Sequence, residues 1–442
     1  MIQPDVLTSD RPHGPWNCRG CDIWDTILAA ASGDVTGLRL ALSRDPNLYR
    51  AAYWYTQPIH FAVREGRLEA VRVLLDAGAD PGTTGADNRD LVTIARDRGH
   101  ESVARLLEQA RARREQTTRL EAASDHPIHV AADARDAARV RELLDADSTL
   151  VDLSDRHGGS PLRRAVLASA REVVELLLER GADPNRPEGA DAPHGVALHV
   201  AARAGDRAMV ELLLAHGADP NAMIDSAGSA TFAARTPELR ALLVAHGGTL
   251  DAYDLVWLGE DDEAVRRVAA DPRAADAGCG GVFAAACKLG KRDLVVRLLD
   301  AGARVPPVAT GCRSYLMSDP ELLRLLLEGG MNPDMPDWQH ATPLHDLCTR
   351  DGRGRPFPHR VASAIILLGA GATLSARDEE YRSTPLAWAA RSDLPDMVEL
   401  LLARGAPTNL PDDPSWATPL AWAVRRGHGT IVEQLRRAGA TA

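Results

Sequence analysis

The sequence predicts an all-α solenoid built of about twelve stacked helix pairs. The first observation is a repeat: segment 384–406, TPLAWAARSDLPDMVELLLARGA, recurs 34 residues later as segment 418–440, TPLAWAVRRGHGTIVEQLRRAGA. The second is length, because residues 24–442 divide into about 12 or 13 units of roughly 33 residues. The third is a second helix that is apolar on more than one side, which suits a helix held between two neighbouring units.

The ends of both helices in segment 384–406 have local causes. Thr384 can cap the first helix through its hydroxyl, and Pro385 suits the first helical position because its missing N–H would be unpaired there. Gly405 can take the left-handed conformation that closes the second helix. The apolar residues of that second helix are Met397, Val398, Leu400, Leu401 and Leu402. One unit is therefore helix, turn, helix and exit loop, and it cannot bury its apolar surface alone.

The opening of the first helix carries a shared motif in four units. It reads QPIHFA at Gln57, HPIHVA at His126, ALHVAA at Ala197 and TPLHDL at Thr342. This motif resembles the T-P-L-H-x-A opening of the ankyrin repeat. The resemblance implies an all-α ankyrin-repeat solenoid of about 12 helix-turn-helix units, several of them degenerate. It also implies that finger loops and a concave face contact a protein partner.

Departures from the motif divide the chain into a leader and three blocks. Residues 1–22 lack helical periodicity and are predicted to form an irregular leader. The blocks are predicted at 23–123, 124–250 and 251–442. Each block opens with a unit that lacks the usual Gly-Ala-Asp-Pro exit, and the turn aspartates of these three units are Asp34, Asp136 and Asp262. Chance divergence of degenerate units would explain the same spacing equally well.

Two units in the middle of the chain are too short for the regular pattern. The units that start at Ala230 and Ser314 lack room for a full first helix and turn. Pro237 and Pro320 are predicted to open their second helices. The sequence contains no convincing strand.

Three further segments depart from a regular unit. A loop at 350–360 replaces the usual short turn and is expected to protrude. The charged segment 111–123 either prolongs a second helix or forms a helical linker. In the last unit Gln434 and Arg436 stand where the preceding unit has leucines, so we expect this polar face to end the stack.

Composition and charge narrow the class of partner and the compartment. The net charge of −11, from 51 basic and 62 acidic residues, argues against a nucleic-acid partner. The longest apolar run, 361–374, has only 14 residues, which is too short to span a membrane. The N-terminus lacks a secretory signal, and six dispersed cysteines suit a reducing compartment. We therefore predict a cytoplasmic protein that binds no membrane, and we expect a monomer.

The residues that could carry chemistry favour no enzyme. Four histidines occupy the same place in four units: His60, His129, His199 and His345. In ankyrin repeats that histidine is structural and ties the turn of one unit to the next. The sequence contains no glycine-rich phosphate loop, nucleophile elbow or H-E-x-x-H helix. We therefore predict no catalytic residue, no cofactor and no metal ligand.

A C-x-x-C motif in the leader supports one alternative. Cys18 and Cys21 form the motif, with His13 five residues before it. Zinc needs four ligands, and no second close pair accompanies these two. Incidental cysteines are the favoured interpretation, and a metal or redox module stays an alternative.

The placement of aromatic residues is the main functional signal. Aromatics make up only 4% of the chain. Six of them precede the threonine position of the motif by two to four residues, in the finger loop: Tyr53, Trp54, Tyr55, Trp338, Tyr381 and Trp416. They are the candidate partner-binding residues, because aromatics supply large and rigid contact areas. Packing onto the neighbouring finger is the structural alternative. Trp388 and Trp422, inside two first helices, are predicted to stack on each other.

These observations predict a non-catalytic scaffold for protein–protein interaction. The scaffold would hold a partner of unknown identity through its finger loops and concave face, with little loss of ordering entropy. An inhibitor or immunity-type protein that blocks an enzyme or toxin is the alternative, and the loop at 350–360 would be its probe.

Overall fold

The computed structural model is mainly helical, with 25 α-helices in the part of the chain that it describes and 59% of residues in helices. It describes residues 1–10, 12–13, 18–54, 56–84, 89–121, 126–155, 158–186, 188, 196–224, 228–278, 280–309, 313–350 and 354–441, and of residues 12–13 and 115–121 only the backbone. Over these residues the helices form thirteen consecutive pairs, which we call units 1 to 13. This confirms the predicted all-α ankyrin-type solenoid.

The first helices of the units are short, and in unit 10 a 3-10 turn takes their place. They are α1 Gly20–Ser32, α3 Pro58–Arg64, α5 Leu91–Asp97, α7 Pro127–Asp133, α9 Pro161–Leu167, α11 Ala197–Ala204, α13 Ala230–Ala233, α15 Ala252–Leu258, α17 Gly281–Lys288, the turn Arg313–Met317, α20 Pro343–Leu347, α22 Pro385–Arg391 and α24 Pro419–Arg426. The second helices are α2 Val35–Arg44, α4 Leu68–Asp76, α6 Glu101–Glu121, α8 Ala137–Ala146, α10 Arg171–Glu179, α12 Arg207–Ala215, α14 Pro237–Ala245, α16 Asp261–Ala270, α18 Arg292–Asp300, α19 Pro320–Glu328, α21 Arg360–Gly369, α23 Pro395–Ala403 and α25 Gly429–Arg437.

Two small strand pairs were missed by the sequence analysis. Strand β1 Pro12–His13 pairs with β2 Cys18–Arg19, and β3 Met223–Ile224 pairs with β4 Gly228–Ser229, both antiparallel. Each strand has two residues, so no alternation of apolar and polar residues could have revealed it.

The predicted helix ends are present where the motif is complete. Thr384 accepts a hydrogen bond from the backbone N–H of Ala387 and so caps α22. Thr418 caps α24 in the same way through the N–H of Ala421. Gly405, two residues after the end of α23, has φ 84°, a left-handed conformation that a glycine adopts without strain. The sequence therefore specifies the ends of these units locally.

The irregular segments follow their predicted patterns in most respects. Pro237 and Pro320 open α14 and α19, as expected for shortened units. The second helix of unit 3, α6, runs on to Glu121, so segment 111–121 prolongs a helix. The loop at 350–360 is described except for residues 351–353, and Arg350 at its start donates hydrogen bonds to the carbonyl oxygens of Ser392 and Asp393 in unit 12. The start of that loop is therefore anchored to the next unit.

The three variant units share one exit geometry. After a second helix of ten residues, an extended aspartate with φ between −138° and −149° starts a short 3-10 turn. The carboxylate of this aspartate accepts the N–H two residues later, and the aspartates are Asp45, Asp147 and Asp271. The division into three blocks that rests on these units stays a prediction. The buried apolar residues of units 4–7 and of units 8–13 form separate clusters, within 128–243 and 252–440.

The leader is more ordered than the sequence suggested. Helix α1 begins at Gly20, four residues before the predicted start at Trp24. Asp22 lies in its first turn, where a carboxylate complements the helix dipole, and pairs with Arg19 at 2.7 Å. Leu7 is fully buried in a cluster with α1. A single buried leucine produces no periodic pattern, so the sequence could not reveal this packing.

The motif histidine ties neighbouring units together in units 4 and 11. Nε2 of His129 lies 2.8 Å from the carbonyl oxygen of Leu153. In unit 11, Nδ1 of His345 accepts the N–H of Thr342 at 3.0 Å, which assigns the proton to Nε2, and Nε2 then donates to the carbonyl oxygen of Ser383 at 3.1 Å. Burial lowers the pKa of His345 to about 3, so it stays neutral.

Replacing His345 by alanine should destabilise the last units by about 2 kcal/mol or more, because two buried hydrogen bonds are lost. Chemical unfolding followed by circular dichroism measures the loss. His216→Ala is the matched control, since His216 is exposed on the surface. Equal midpoints for the two variants would show that His345 is not a structural link.

Candidate functional site

The array returns on itself, so that its first and last units touch. The loops before α20, α22 and α24 lie against the leader and the first helices of units 2 and 3. At the N-terminus, the N–H of Ile2 donates to the carbonyl oxygen of Trp338 at 2.8 Å, and the terminal ammonium group pairs with Glu379 at 3.0 Å. We call this contact, between residues 1–98 and the segments 337–340, 378–382, 416 and 425–426, the closure interface.

Trp338 forms the apolar centre of the closure interface. Its side chain is only 6% exposed. Its ring meets Tyr53 edge-on at 5.2 Å and Phe61 of α3 at 5.6 Å between centroids. Edge-to-face pairs of this kind add attraction to the area that they bury. A finger loop of unit 11 is therefore inserted into the core of units 1 and 2.

Glu380 forms the charged centre of the closure interface. Its carboxylate lies 2.7 Å from Arg89, 3.3 Å from Nε2 of His60 and 3.5 Å from Arg64. Its side chain is 13% exposed, and that of Arg64 is 2% exposed. Burial alone would raise the pKa of Glu380, but the charges and hydrogen bonds of His60, Arg89 and Arg64 outweigh burial and hold this pKa well below its ordinary value.

Arg98 binds the backbone of the same loop. Its guanidinium donates to the carbonyl oxygens of Glu379, at 3.0 Å, and Glu380, and also to that of Arg64 at 3.0 Å. Its carbon Cζ lies 4.9 Å from the ring centre of Trp416. Burial lowers the pKa of Arg98 to about 10, so the guanidinium is still charged at neutral pH. Arg98 thus connects two finger loops of the last units to unit 3.

Further ion pairs join the first and last units. Arg382 pairs with Glu65 at 2.9 Å, just after α3. Arg426, at the end of α24, pairs with Asp97 at the end of α5 at 3.1 Å. Arg425 donates to the carbonyl oxygen of Asp97 at 2.8 Å. The first three units therefore present both charge signs, and the last units match them.

Most of the predicted finger aromatics lie in or beside this interface. Tyr53, Trp338 and Tyr381 are 6%, 6% and 3% exposed. Trp54 and Trp416 are partly buried, and Trp54 meets Tyr53 at 6.4 Å. Tyr55 lies outside the described residues. In this state the aromatics contact the same chain, and their contact with a partner stays a prediction.

The predicted stacking of Trp388 on Trp422 is wrong. Among the described ring pairs, both indoles meet Tyr381 edge-on, at 5.1 Å and 5.8 Å. Asp378 accepts the indole N–H of Trp388 at 2.9 Å, whereas Trp422 donates to Ser383. The finger tyrosine reaches between the two helices, and the 34-residue spacing could not show this.

His60 departs from the role of the other motif histidines. Its Nε2 meets Glu380, 320 residues away, whereas His129 and His345 meet the backbone of the next finger loop. His199 follows the common pattern through the backbone of Gly228, and burial lowers its pKa. The same motif residue thus serves the closure interface in unit 2.

The two cysteines of the C-x-x-C motif have different surroundings. Cys18 is buried, and burial, followed by the hydrogen bond and charge of Asp45, raises the pKa of its thiol to about 12. Cys21 donates to Asp10 at 3.2 Å. Across the described residues, no group of three or more His, Cys, Asp or Glu side chains could hold a metal ion.

Two positions on the first helices are covered in unit 2 and open in later units. Phe61 and Arg64 receive Trp338 and Glu380, and both are almost fully buried. The motif aligns Phe61 with Val130 of α7, which is 53% exposed, and Arg64 with Leu167 of α9, which is 58% exposed. The other two positions are charged: Asp133 in unit 4 and Arg164 in unit 5 pair with each other at 2.7 Å. Units 4 and 5 therefore each expose one apolar residue on the face that the closure interface uses.

Family comparisons agree with the repeat geometry. Sequence models described as "Ankyrin repeats (3 copies)" match residues 91–188 and 358–441, and models described as "Ankyrin repeat" match 57–85 and 196–225. Together they cover more than half of the chain. The chain belongs to the ankyrin repeat family. Such repeats are in general non-catalytic modules, and they indicate a role in protein–protein interaction.

Several known ankyrin proteins resemble parts of this chain. The E3 ubiquitin-protein ligase XB3 of Oryza sativa subsp. japonica is 29% identical over 181 residues, which are 38% of this chain and 40% of the relative. Ankyrin repeat and SAM domain-containing protein 6 of Danio rerio is 30% identical over 165 residues, 37% and 22% of the two chains. Cyclin-dependent kinase 4 inhibitor B of Rattus norvegicus is 36% identical over 84 residues, 19% and 64%. The chain thus spans less than two thirds of each of these relatives.

Two solved ankyrin structures align at low identity. The ankyrin repeat domain of human ASB11 is 22% identical, with 51% of this chain and 98% of that chain covered and a TM-score of 0.25. The ankyrin repeat domain of Bcl-3, described as a member of the IkappaB protein family, is 20% identical, with 62% and 99% covered and a TM-score of 0.28. None of the described helices of this ankyrin chain is long and apolar enough to cross a membrane.

Sequence analysis missed the charged residues of this ankyrin chain's closure interface. Glu380, Arg89 and Arg98 lie outside the repeat motif or at its edge, and their contacts across the interface join residues 281 to 320 positions apart. A local pattern carries no sign of such a pairing. The one available signal was Arg64 in the first helix of unit 2, because the repeat motif does not require an arginine there.

Acid should weaken the closure interface. We call the molecule closed when the closure interface is formed. The pKa of Glu380 in the closed molecule is lower than its ordinary value of 4.5. The ionised carboxylate therefore stabilises the closed molecule above pH 4.5, and this stabilisation is lost as pH falls through the lower pKa. Glu379, beside the terminal ammonium group, acts in the same direction. Small-angle scattering between pH 6 and pH 3 should show expansion in wild type at low pH. A Glu380→Gln variant with the same pH response would contradict this assignment.

Proposed function

We propose that this ankyrin chain is a non-catalytic scaffold that holds a protein partner on the concave face and finger loops of its middle units. One observation carries the proposal: Val130 and Leu167 are exposed at the positions where unit 2 receives the chain's own finger loops. In unit 2 the residues at these positions, Phe61 and Arg64, contact inserted finger loops. Units 4 and 5 each have one apolar residue at these positions, and a partner could bury Val130 and Leu167 beside the ion pair of Arg164 with Asp133.

The finger aromatics would form a second surface for a partner. Trp338 and Trp416 join the last units to the first in the closed molecule, and Trp54 packs against the apolar cluster that contains Trp338. Opening would expose these side chains. Aromatic side chains on a rigid scaffold are typical interface anchors. The open molecule would therefore offer a second partner surface.

Affinity capture with two sets of variants tests the proposal. The first set is Val130→Asp with Leu167→Asp, which places charges on the concave face of units 4 and 5. The second is Trp54→Ala with Trp338→Ala and Trp416→Ala. Circular dichroism checks that every variant is folded. We expect the first set to lose a partner that wild type retains.

The chain offers a matched control on its outer helices. Val244 of α14 is 48% exposed and Val296 of α18 is 42% exposed, so Val244→Asp with Val296→Asp adds the same charge elsewhere. Loss of the partner from the concave variant alone supports the middle face. Loss from the tryptophan variant alone supports the fingers of the open molecule. A partner that stays on all three would contradict the proposed mode of binding.

A further inference from the structure

We propose that the basic face of units 2 and 3 is a binding site for an acidic protein segment, in which a glutamate is followed by an aromatic residue. Residues 378–382 of the same chain, DEEYR, occupy this site in the closed molecule. The basic face consists of His60, Arg64, Arg89 and Arg98. This inference rests on the proposed function as a protein-binding scaffold and adds the chemical class of one ligand.

The basic face is built for a carboxylate. With the loop in place, the side chains of these four residues are only 5%, 2%, 12% and 5% exposed. Three of them converge on one carboxylate, that of Glu380, within 3.5 Å. Within the same units, Glu65 pairs with Arg64 and Arg98, and Asp97 pairs with Arg89. Glu380 is the third carboxylate for these three guanidinium groups, and a buried charge without a partner is costly. An empty site would leave an excess of positive charge at the first helices.

The bound loop shows what the site recognises beyond charge. Arg98 takes the two carbonyl oxygens of Glu379 and Glu380, and the guanidinium of Arg89 lies 4.3 Å from the ring centre of Tyr381. Recognition therefore uses one carboxylate, the backbone next to it and the aromatic ring that follows. These contacts come from three consecutive residues, so a short segment of another protein could reproduce them.

The loop is ordered before it binds. The carboxylate of Asp378 accepts the backbone N–H groups of Tyr381, at 2.6 Å, and Ser383, at 3.0 Å. Arg382 has φ 48°, a left-handed conformation that completes the turn. These bonds lie within unit 12 and involve no residue of units 2 and 3. The chain's own loop therefore loses little entropy on binding, which favours it over a flexible competitor.

Competition decides when an outside ligand can bind. The chain's own loop binds intramolecularly and is already ordered, so a free segment with equal contacts is outcompeted in wild type. Removing the tethered glutamate should uncover the site. The ligand's affinity should then rise, without any change in the basic face itself.

A peptide of residues 376–384, ARDEEYRST, is the probe, labelled for fluorescence polarisation. The full-length Glu380→Lys variant is the open host, and Glu399→Lys, on the exposed surface of α23, is the control with the same charge change. We expect the peptide to bind the open host at least tenfold more tightly than wild type or the control. Replacing both glutamates of the peptide by glutamine should abolish this gain.

A second variant tests the basic face directly. Arg89→Gln in the Glu380→Lys background should reduce peptide binding at least tenfold, because Arg89 contacts both the carboxylate and the aromatic ring. The proposal fails if the open host binds no better than wild type, or if the glutamine peptide binds equally well. It also fails if scattering shows that Glu380→Lys stays closed, since Glu380 would then not hold the site.

The outcome is separable from the test of the proposed function. Peptide binding without a captured partner would retain the acidic-segment site and remove the scaffold role of the middle units. A captured partner without peptide binding would do the reverse.

Discussion

The Glu380→Lys variant is expected to open the molecule and to increase its radius of gyration. The lysine would face His60, Arg64 and Arg89 in a site that is only slightly exposed. Removing one partner from a buried ion pair costs about 3–5 kcal/mol, and a positive charge adds repulsion. A change of this size shifts the closing equilibrium by roughly a hundredfold or more. Small-angle scattering in solution measures the result.

The control for this variant is Glu399→Lys, which makes the same charge change on the exposed surface of α23. It should leave the scattering curve unchanged. An expanded control would mean that net charge, and not the loss of one contact, causes the opening. Identical curves for both variants and wild type would show that Glu380 does not hold the ends together.

The Trp338→Ala variant should loosen units 1 and 2, although Trp338 belongs to the loop before unit 11. The indole packs against Tyr53 and Phe61, so its removal leaves a cavity beside α3. Replacing a buried aromatic residue by alanine costs about 3–5 kcal/mol. Hydrogen exchange followed by mass spectrometry should show faster exchange in residues 20–64.

Trp257→Ala is the matched control for Trp338→Ala. Trp257 lies in α15 of unit 8, where it meets Tyr253 at 6.1 Å, and it takes no part in the closure interface. Its removal should speed exchange around α15 alone. Unchanged exchange in residues 20–64 of Trp338→Ala would mean that the first units do not depend on the last.

The repeat itself was predictable because its causes are local. The Thr-Pro opening, the closing glycine and the apolar second helix all lie within one unit, and each has a defined effect on the backbone. For that reason segments 384–406 and 418–440 specified their helices directly. The start of α1 at Gly20 was missed because the leader contributes only isolated apolar residues to the core.

The candidate site was predictable only in part. The sequence singled out Trp338, Tyr381 and Trp416, and these residues do lie on finger loops. It could not show their contacts in the closure interface, since Tyr53, Arg89 and Arg98 lie about 300 positions earlier in the chain. Glu380 had no signal of its own, because a glutamate in a finger loop is ordinarily solvated. Its partners are identified only by the folded arrangement.

A distance measured between the two ends of the array tests most directly whether the array closes on itself. Nitroxide-bearing non-canonical residues at Glu69 of α4 and Arg404, after α23, are both exposed and avoid the six native cysteines. Pulsed electron paramagnetic resonance on the full-length chain should give one narrow distance distribution in wild type and a longer, broad one in Glu380→Lys. A broad, long distribution in wild type would contradict closure of the array on itself.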